Sequence, residues 1–466
     1  MKMRRKVVKM KSNAKSNKKS FLIIVSVFIL VLYIFTLSNK PIQEIHVDLN
    51  ENSINHPYSQ SLKLEISGSI VENPIFINGS ATGLTAHNWT WAEEQDWCSG
   101  SGTLNDPYVI ENLFIDGKNQ SSCIEIYNSA KFLIIRECTV FNSSLTGDAG
   151  IFLENVSNSI LIDNECNYNA YGLFMEECSN NNITGNSANY NTWAGFHLSQ
   201  CDNNTISNNT ANNNVGVVFE SIGIYLNLCH FNLVSENTAN NNKYGIWLSG
   251  QVTVWGSHNN TIMNNTASYN EVGIVLRGEF GRCYDNIISG NIVSNNLNYG
   301  IRVSRSSQNV FCKNTVKDNE NDGIYISIES YNNTFTENVI LNNGQIGLKI
   351  DDHSYCNLIY YNCFIGNNMN AQDDRTDNEW DNGTLGNFWD DYDGVDANND
   401  GIGDTPYDVP PVGYSVDNYP LMKCPIPQDN GGFPFELIIL ISVISGGAVI
   451  GVATLLLIRR KRKRIE

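Results

Sequence analysis

Along residues 150–367 the apolar positions keep a phase that restarts every 22–28 residues. A glycine opens each unit, at 150, 172, 195, 216, 245, 273, 300, 323 and 347. The residues one and three places later are apolar each time, from Ile151/Leu153, Leu173/Met175 and Phe196/Leu198, through Val217/Phe219, to Leu348/Ile350. Alternation of this kind marks a strand with one buried face. Each unit then reaches two Asn five residues apart, from 164/169 to 362/367. One apolar residue stands three places before the first Asn (Leu161, Ile183, Ile206) and another two places after it (Cys166, Ala188, Ala211). Each unit therefore predicts three short strands with apolar sides inward, separated by Asn/Gly turns.

Such a unit cannot bury its apolar face alone; stacked coil upon coil it can. The prediction is an all-β chain, a right-handed parallel β-helix of about eleven coils, or a rod on the order of 50 Å at ~4.8 Å per coil. Two degenerate units, around Asn112/Gly117 and Glu137/Asn142, precede the regular ones. A leucine-rich horseshoe has a similar period, but these units lack its Leu pattern and any helical segment. Asn suits the corners because it tolerates left-handed backbone and caps its own turn. In register, its amides can form ladders along the rod. A third ladder is expected five residues before the first Asn of each pair, at Asn181, Asn204, Asn232 and onward to Asn357.

Two apolar runs lie outside the repeats, at 21–38 and 437–458. The second, 22 uncharged residues, is long enough for a bilayer core of ~30 Å. Nine Lys/Arg fill residues 1–20 and six fill 459–464, so the positive-inside rule places both ends in the cytoplasm. That leaves 15 basic against 46 acidic residues in 21–434, a body that repels nucleic acid and attracts cations. The expected order is a basic segment 1–20, a signal anchor 21–38, an N-terminal extension and cap 39–97, repeats 98–370, a cap 371–424, a linker 425–436, a transmembrane helix 437–458 and a basic tail 459–466. The β-helix would be extracellular, on a chain anchored in the cell membrane.

The segments GSGTLNDPYVIENLFIDG (100–117) and GNFWDDYDGVDANNDGIGDTPYD (386–408), with the units between them, resemble the NosD-type right-handed parallel β-helix proteins. The resemblance spans about 98–422. It implies the β-helix and a tie to carbohydrate binding or sugar hydrolysis, in a family named for a copper-associated periplasmic protein. The end GGFPFELIILIS (431–442) with its basic tail is similar to tails of prokaryotic, especially archaeal, surface proteins. Copper itself is not supported by the residues: the seven His are scattered and Met175, Met263 and Met369 form no cluster.

Chemistry is expected on outward positions of the post-glycine strand. Two and four places after the glycine stand Phe174, Trp247, Arg277, Arg302, Tyr325 and Lys349, aromatic and charged side chains suited to a polysaccharide or surface glycan. Glu176, His197 and Glu220 would be neighbours on successive coils, an acid/base cluster for a hydrolase or lyase. Insertions at 220–231, 249–258 and 277–285 would stand side by side and add Trp255 to a ligand ridge. Asp396, Asn398, Asp400 and Asp404, around Gly401, space oxygen ligands like a short calcium loop, so Ca2+ with a structural role is expected. Cys178 and Cys201 share one phase and predict a thiol ladder, since in-register neighbours fit disulfide geometry poorly. Twelve N-x-[ST] sequons are present, of which Asn78, Asn88 and Asn382, outside the coils, are expected to be the better glycan acceptors. The functional expectation is surface polysaccharide binding, with a non-enzymatic adhesin or scaffold as the alternative and a NosD-like role in metalloenzyme assembly behind it.

Overall fold

The computed structural model describes residues 70–426, apart from 84, 145–146, 217–219, 251–255, 280, 412 and 414. All of these lie in one compact unit, Glu65–Glu466. The apolar runs at 21–38 and 437–458 lie outside the described residues. Among the described residues no helix is long and apolar enough to cross a membrane.

The coils form three parallel faces. The first is a 12-stranded sheet of post-glycine strands, from Ile75–Asn78 to Met369–Asp373. The second, also of 12 strands, runs to Leu358–Tyr360 and is parallel except where Cys98–Ser99 pairs antiparallel with Tyr108–Glu111. The third comprises a three-stranded and a six-stranded sheet, linked by single bridges from Thr139 through Glu165, Ser187, Thr210 and Thr238 to Thr266. Pairing already begins at Ile70–Glu72 and Ile75–Asn78, and reaches Phe388–Trp389 at the other end. Stacking thus extends past 98–370 on both sides.

The inward residues of all three faces form one continuous core. Leu173, Met175, Ile183 and Ala188 of one coil are fully buried, as are Phe196, Leu198, Ile206 and Ala211 of the next. Each large aliphatic side chain so buried contributes roughly 1.5–3 kcal/mol. The opening glycines are required by contact. A Cβ on Gly172 would lie 2.6 Å from the carbonyl oxygen of Gly195, and one on Gly195 2.8 Å from that of Gly223.

That column corrects one assignment. The coil after Gly195 opens at Gly223, not Gly216. Phe196 pairs with Ile224, His197 with Tyr225 and Leu198 with Leu226, so Ile224 and Leu226 fill the core. Val217 and Phe219 lie outside the described residues. The sequence offered two glycines followed by apolar residues seven places apart, and only the register of the neighbouring coils selects the second.

The Asn residues are buried amide ladders. Asn186 donates from its backbone N–H and from Nδ2 to Oδ1 of Asn209, at 2.9 and 3.0 Å. Asn181 does the same to Asn204, and Asn191 to Asn214. The left-handed residue is the one before each ladder Asn: Asn203, Asn208 and Asn213 have φ near +56°. The ladder amide turns inward while its predecessor makes the corner. The same left-handed position takes Glu236, Lys313 and Tyr361, a cost of roughly 1–2 kcal/mol each that the satisfied ladder offsets.

At the corner between the first and second faces, Cys178, Cys201 and Cys229 form the expected ladder of buried thiols. The N–H of Cys178 meets Sγ of Cys201 at 3.4 Å, and that of Cys201 meets Sγ of Cys229 at 3.5 Å. Burial pushes the Cys178 and Cys201 thiols far up. The C-terminal cap closes the core with Trp380 and Trp389. The buried Asp417 carboxylate accepts from Asn387 N (2.7 Å) and Trp389 Nε1 (2.8 Å). A disulfide, Cys363–Cys424, ties the cap to the third face.

Candidate functional site

The outer side of the first face carries a row of rings set by the register. Phe152, Phe174, His197, Tyr225 and Trp247 follow one another on successive strands. Their centroids are 5.1, 4.5, 4.7 and 5.0 Å apart. Phe174 and His197 are nearly parallel, at 5°. The rings there turn their faces to each other, so a ligand over the sheet meets their edges. Tyr171, Tyr244 and Val272 pack beside the row as a second apolar cluster, outside the core. Further along, Arg302 and Lys349 take places on the row and Arg277 stands beside it. Arg277 lies over Trp247 (6.0 Å), Arg302 over Tyr299 (5.9 Å) and Lys349 over Tyr325 (5.8 Å).

Polar atoms on this row lack partners. Both ring nitrogens of His197, Nε1 of Trp247 and Nε of Arg302 are hidden from water and have no hydrogen-bond partner among the described residues. With its nitrogens buried, the His197 imidazole is pushed down to about 3. Glu176 stands in register with Glu154. Burial, then the Glu154 and Glu177 charges, hold its carboxyl above the usual range.

Glu220 is not on this row. The register puts Asn227 beside Ser199, so Glu176, His197 and Glu220 do not form a cluster on successive strands. Glu220 lies in the insertion before the strand, 3.6 Å from Lys243. It lines an open cleft of about 620 Å³ with Ser221, Tyr269, Glu271 and Leu297. The first insertion therefore sits at another corner from the other two, which do stand together: Gly250 pairs with Gly278, and the N–H of Gly256 donates to Arg282 O at 3.0 Å. Trp255 lies outside the described residues.

A column at the first corner joins Asp202 to three ring residues of the insertions, His230, His258 and Tyr284. Asp202, His230, His258 and Tyr284 bridge one another on successive coils. His230 Nδ1 is 2.9 Å from Asp202 Oδ1, and the two imidazole centroids are 3.9 Å apart. Each stands two residues before a ladder Asn, a spacing that would have exposed the column. Burial, then His230, push the His258 imidazole down.

In the cap, Gly401 takes φ +88°. Asp396 accepts from the N–H groups of Asp400 (3.1 Å) and Gly401 (2.9 Å), Asn398 Oδ1 from Asp400 (3.0 Å), and Asp404 from Ala397 (2.8 Å). Asp400 Oδ1 accepts from Ile402 N–H at 2.9 Å, so the four oxygen-bearing side chains all brace one turn. Of the acceptor candidates, Asn382 is exposed and its Oδ1 accepts from Thr384 N and Oγ1. Asn78 makes the same turn with Ser80. Asn88 instead caps the helix Trp89–Ala92, and its Nδ2 donates to Ala81 O at 2.9 Å.

A family model for the periplasmic copper-binding protein NosD matches residues 217–394, and one for the right-handed beta helix region matches 97–255. No curated protein matches the chain. Among solved structures, the A-module of the Azotobacter vinelandii mannuronan C-5 epimerase AlgE6 is 13% identical, with a TM-score of 0.44 over 60% of this chain and 88% of that one. The periplasmic alginate epimerase AlgG is 16% identical, with a TM-score of 0.35 over 67% and 84%. The Dettilon tailspike protein is 14% identical, with a TM-score of 0.32 over 66% and 61%.

The donors described do not fit copper. His197 stands between the rings of Phe174 and Tyr225, and the thiols of Cys178 and Cys201 donate to core carbonyls. Among the described residues, the set of three His, Cys or carboxylate side chains whose ligand atoms lie within 4.8 Å of one another is Asp351, Asp352 and His353, mainly hard oxygen donors.

Proposed function

The chain is a right-handed β-helix repeat protein of the NosD type, and from there we propose that it is an exported, membrane-tethered rod that binds polysaccharide on the outer side of its first face. The observation that carries this reading is the set of orphan polar atoms on one row. Buried polar atoms without partners are uncommon, and each costs about 1–3 kcal/mol. Here His197, Trp247 and Arg302 supply four of them along a single row. A hydroxyl-rich chain that parts the side chains covering these atoms offers them both donors and acceptors. The ring edges of Phe174 and Tyr325 and the cations Arg277 and Lys349 frame it. Glu176, with its raised carboxyl, is a group on this face suited to proton donation.

Export and tethering rest on the two apolar runs and their basic flanks. The Cys363–Cys424 disulfide supports an oxidising compartment. The loop around Gly401 is proposed to take calcium. Each N–H bond there uses one lone pair of a carboxylate that has about four, and hard oxygens suit that ion.

The test is retention of the purified chain on immobilised neutral and anionic polysaccharides. Trp247→Phe and Arg302→Met remove orphan donors while keeping bulk, and should lower affinity about tenfold, ~1.4 kcal/mol. Retention of no polysaccharide by the native chain sinks the reading.

A further inference from the structure

We propose that the second face is the glycan-bearing side of the rod, with N-linked oligosaccharide on Asn203, Asn208, Asn264 and Asn332. This rests on the export proposed above, because the sugar donor and its transferase are met on the outer side of the membrane.

The geometry of the coil sorts the sequons. The inward ladder Asn is never the acceptor in these four. It is the middle residue of Asn203-Asn204-Thr205, Asn208-Asn209-Thr210, Asn264-Asn265-Thr266 and Asn332-Asn333-Thr334. The acceptor is the left-handed corner residue before it, with φ between +54° and +56° at all four. All four are exposed, and their Nδ2 atoms donate to no described residue. The threonine that completes each sequon is half-exposed. One backbone pattern therefore sends the ladder amide into the rod and sets the acceptor amide outside it.

Other sequons are held. Asn142 Nδ2 donates to Asp116 (2.7 Å), Asn155 Nδ2 to Asn128 (2.9 Å), and Asn259 Nδ2 contacts His258 Nδ1 (2.9 Å). The Asn88 amide is tied to Ala81, and Asn182 Oδ1 is hidden within its strand. A glycan at Asn88, Asn142, Asn155 or Asn259 breaks a contact that the folded chain makes, and one at Asn182 disturbs a side chain whose oxygen is hidden; at the four corner residues it does neither.

Asn203 and Asn208 flank the strand Thr205–Ser207 on two corners of the second face, Asn264 follows Thr261–Met263, and Asn332 precedes Thr334–Thr336. None of them lies on the outer row of the first face, so sugars on these corners leave that row open. In the transfer, asparagine Nδ2 bonds to the anomeric carbon of a lipid-phosphate-linked oligosaccharide. The carbon–oxygen bond to phosphate breaks, the lipid phosphate leaves with the electron pair, and the amide nitrogen gives up one proton.

The experiment is site-by-site glycopeptide mass spectrometry on the chain purified from its own cells, beside labelling of intact cells with a membrane-impermeant reagent. Sugar on the four corner residues, with Asn88, Asn142 and Asn182 bare, is the expected result. Thr205→Val should remove the Asn203 glycan alone and leave the melting curve unmoved, since Asn204 and Ile206 stay in place. A chain labelled at the surface but bare at all four residues overturns this proposal and leaves export standing. A chain closed to the reagent overturns both. Equal occupancy of held and free sequons overturns the sorting by geometry.

Discussion

Asn209 gives both its backbone N–H and its Nδ2 to one oxygen, Oδ1 of Asn237, at 2.9 and 3.0 Å. Its own Oδ1 receives the same pair from Asn186, and its Nδ2 also reaches the Ile183 carbonyl at 2.9 Å. One side chain therefore satisfies two backbone groups on the coil before it, Asn186 N–H and the Ile183 carbonyl, and meets the side-chain oxygen of Asn237 on the coil after it. Asn209→Ala leaves them unpaired inside the rod and should cost about 3 kcal/mol in denaturant unfolding. Asn208→Ala, one residue away and exposed, loses only the preference of Asn for left-handed backbone and should cost about 1 kcal/mol. Equal effects would contradict the inward and outward assignment.

The corrected register has its own test. A Cβ at Gly223 would come 2.5 Å from Gly245 O and 2.9 Å from the Ala239 side chain. Gly223→Ala should therefore lose roughly 1–3 kcal/mol by overpacking. Gly216→Ala, in the insertion, should change little. The reverse order in thermal unfolding would restore Gly216 as the opening glycine.

His197 should set part of the acid limb of stability. Its folded value, about 3, lies below the ordinary 6.5. As pH falls below 6.5 the unfolded chain takes up a proton that the folded chain refuses. Stability is then lost between about pH 6.5 and 3, at about 1.4 kcal/mol per pH unit, and is fully present above that window. His197→Phe keeps a ring between Phe174 and Tyr225 and should flatten this part of the profile. An unchanged slope in unfolding free energy against pH would mean that His197 charges freely in the fold.

Calcium on the loop of Asp396, Asn398, Asp400 and Asp404 predicts a melting temperature that falls on chelation and recovers on adding calcium but not magnesium. Asp400→Asn, Asp404→Asn should remove the response. A wild-type curve indifferent to chelator means that the turn holds itself through its own N–H bonds.

The rod was legible because its signals are local and repeated. Strand phase, the apolar triplet and the Asn spacing recur unit after unit, so each coil reports the same architecture. Ile183, Ile206 and Ala211 were placed inward from spacing alone, and they are inward. The Cys178–Cys201 ladder followed from shared phase. The opening glycines were visible as a pattern, but their cause, the carbonyl of the next coil, was not.

What the chain could not disclose along its length was register across an insertion. Gly216 and Gly223 are equivalent by composition, and only pairing of Phe196 with Ile224 separates them. That single choice moved Glu220 off the row and put Tyr225 between His197 and Trp247. The Asp202, His230, His258 and Tyr284 column is likewise a product of stacking, since its members are 26–28 residues apart. Periodicity determines which side chains point in and out, because that depends on backbone geometry a few residues long. Which outward side chains meet, and which polar atoms are left without partners, depends on how whole coils align, and only the tertiary structure decides it.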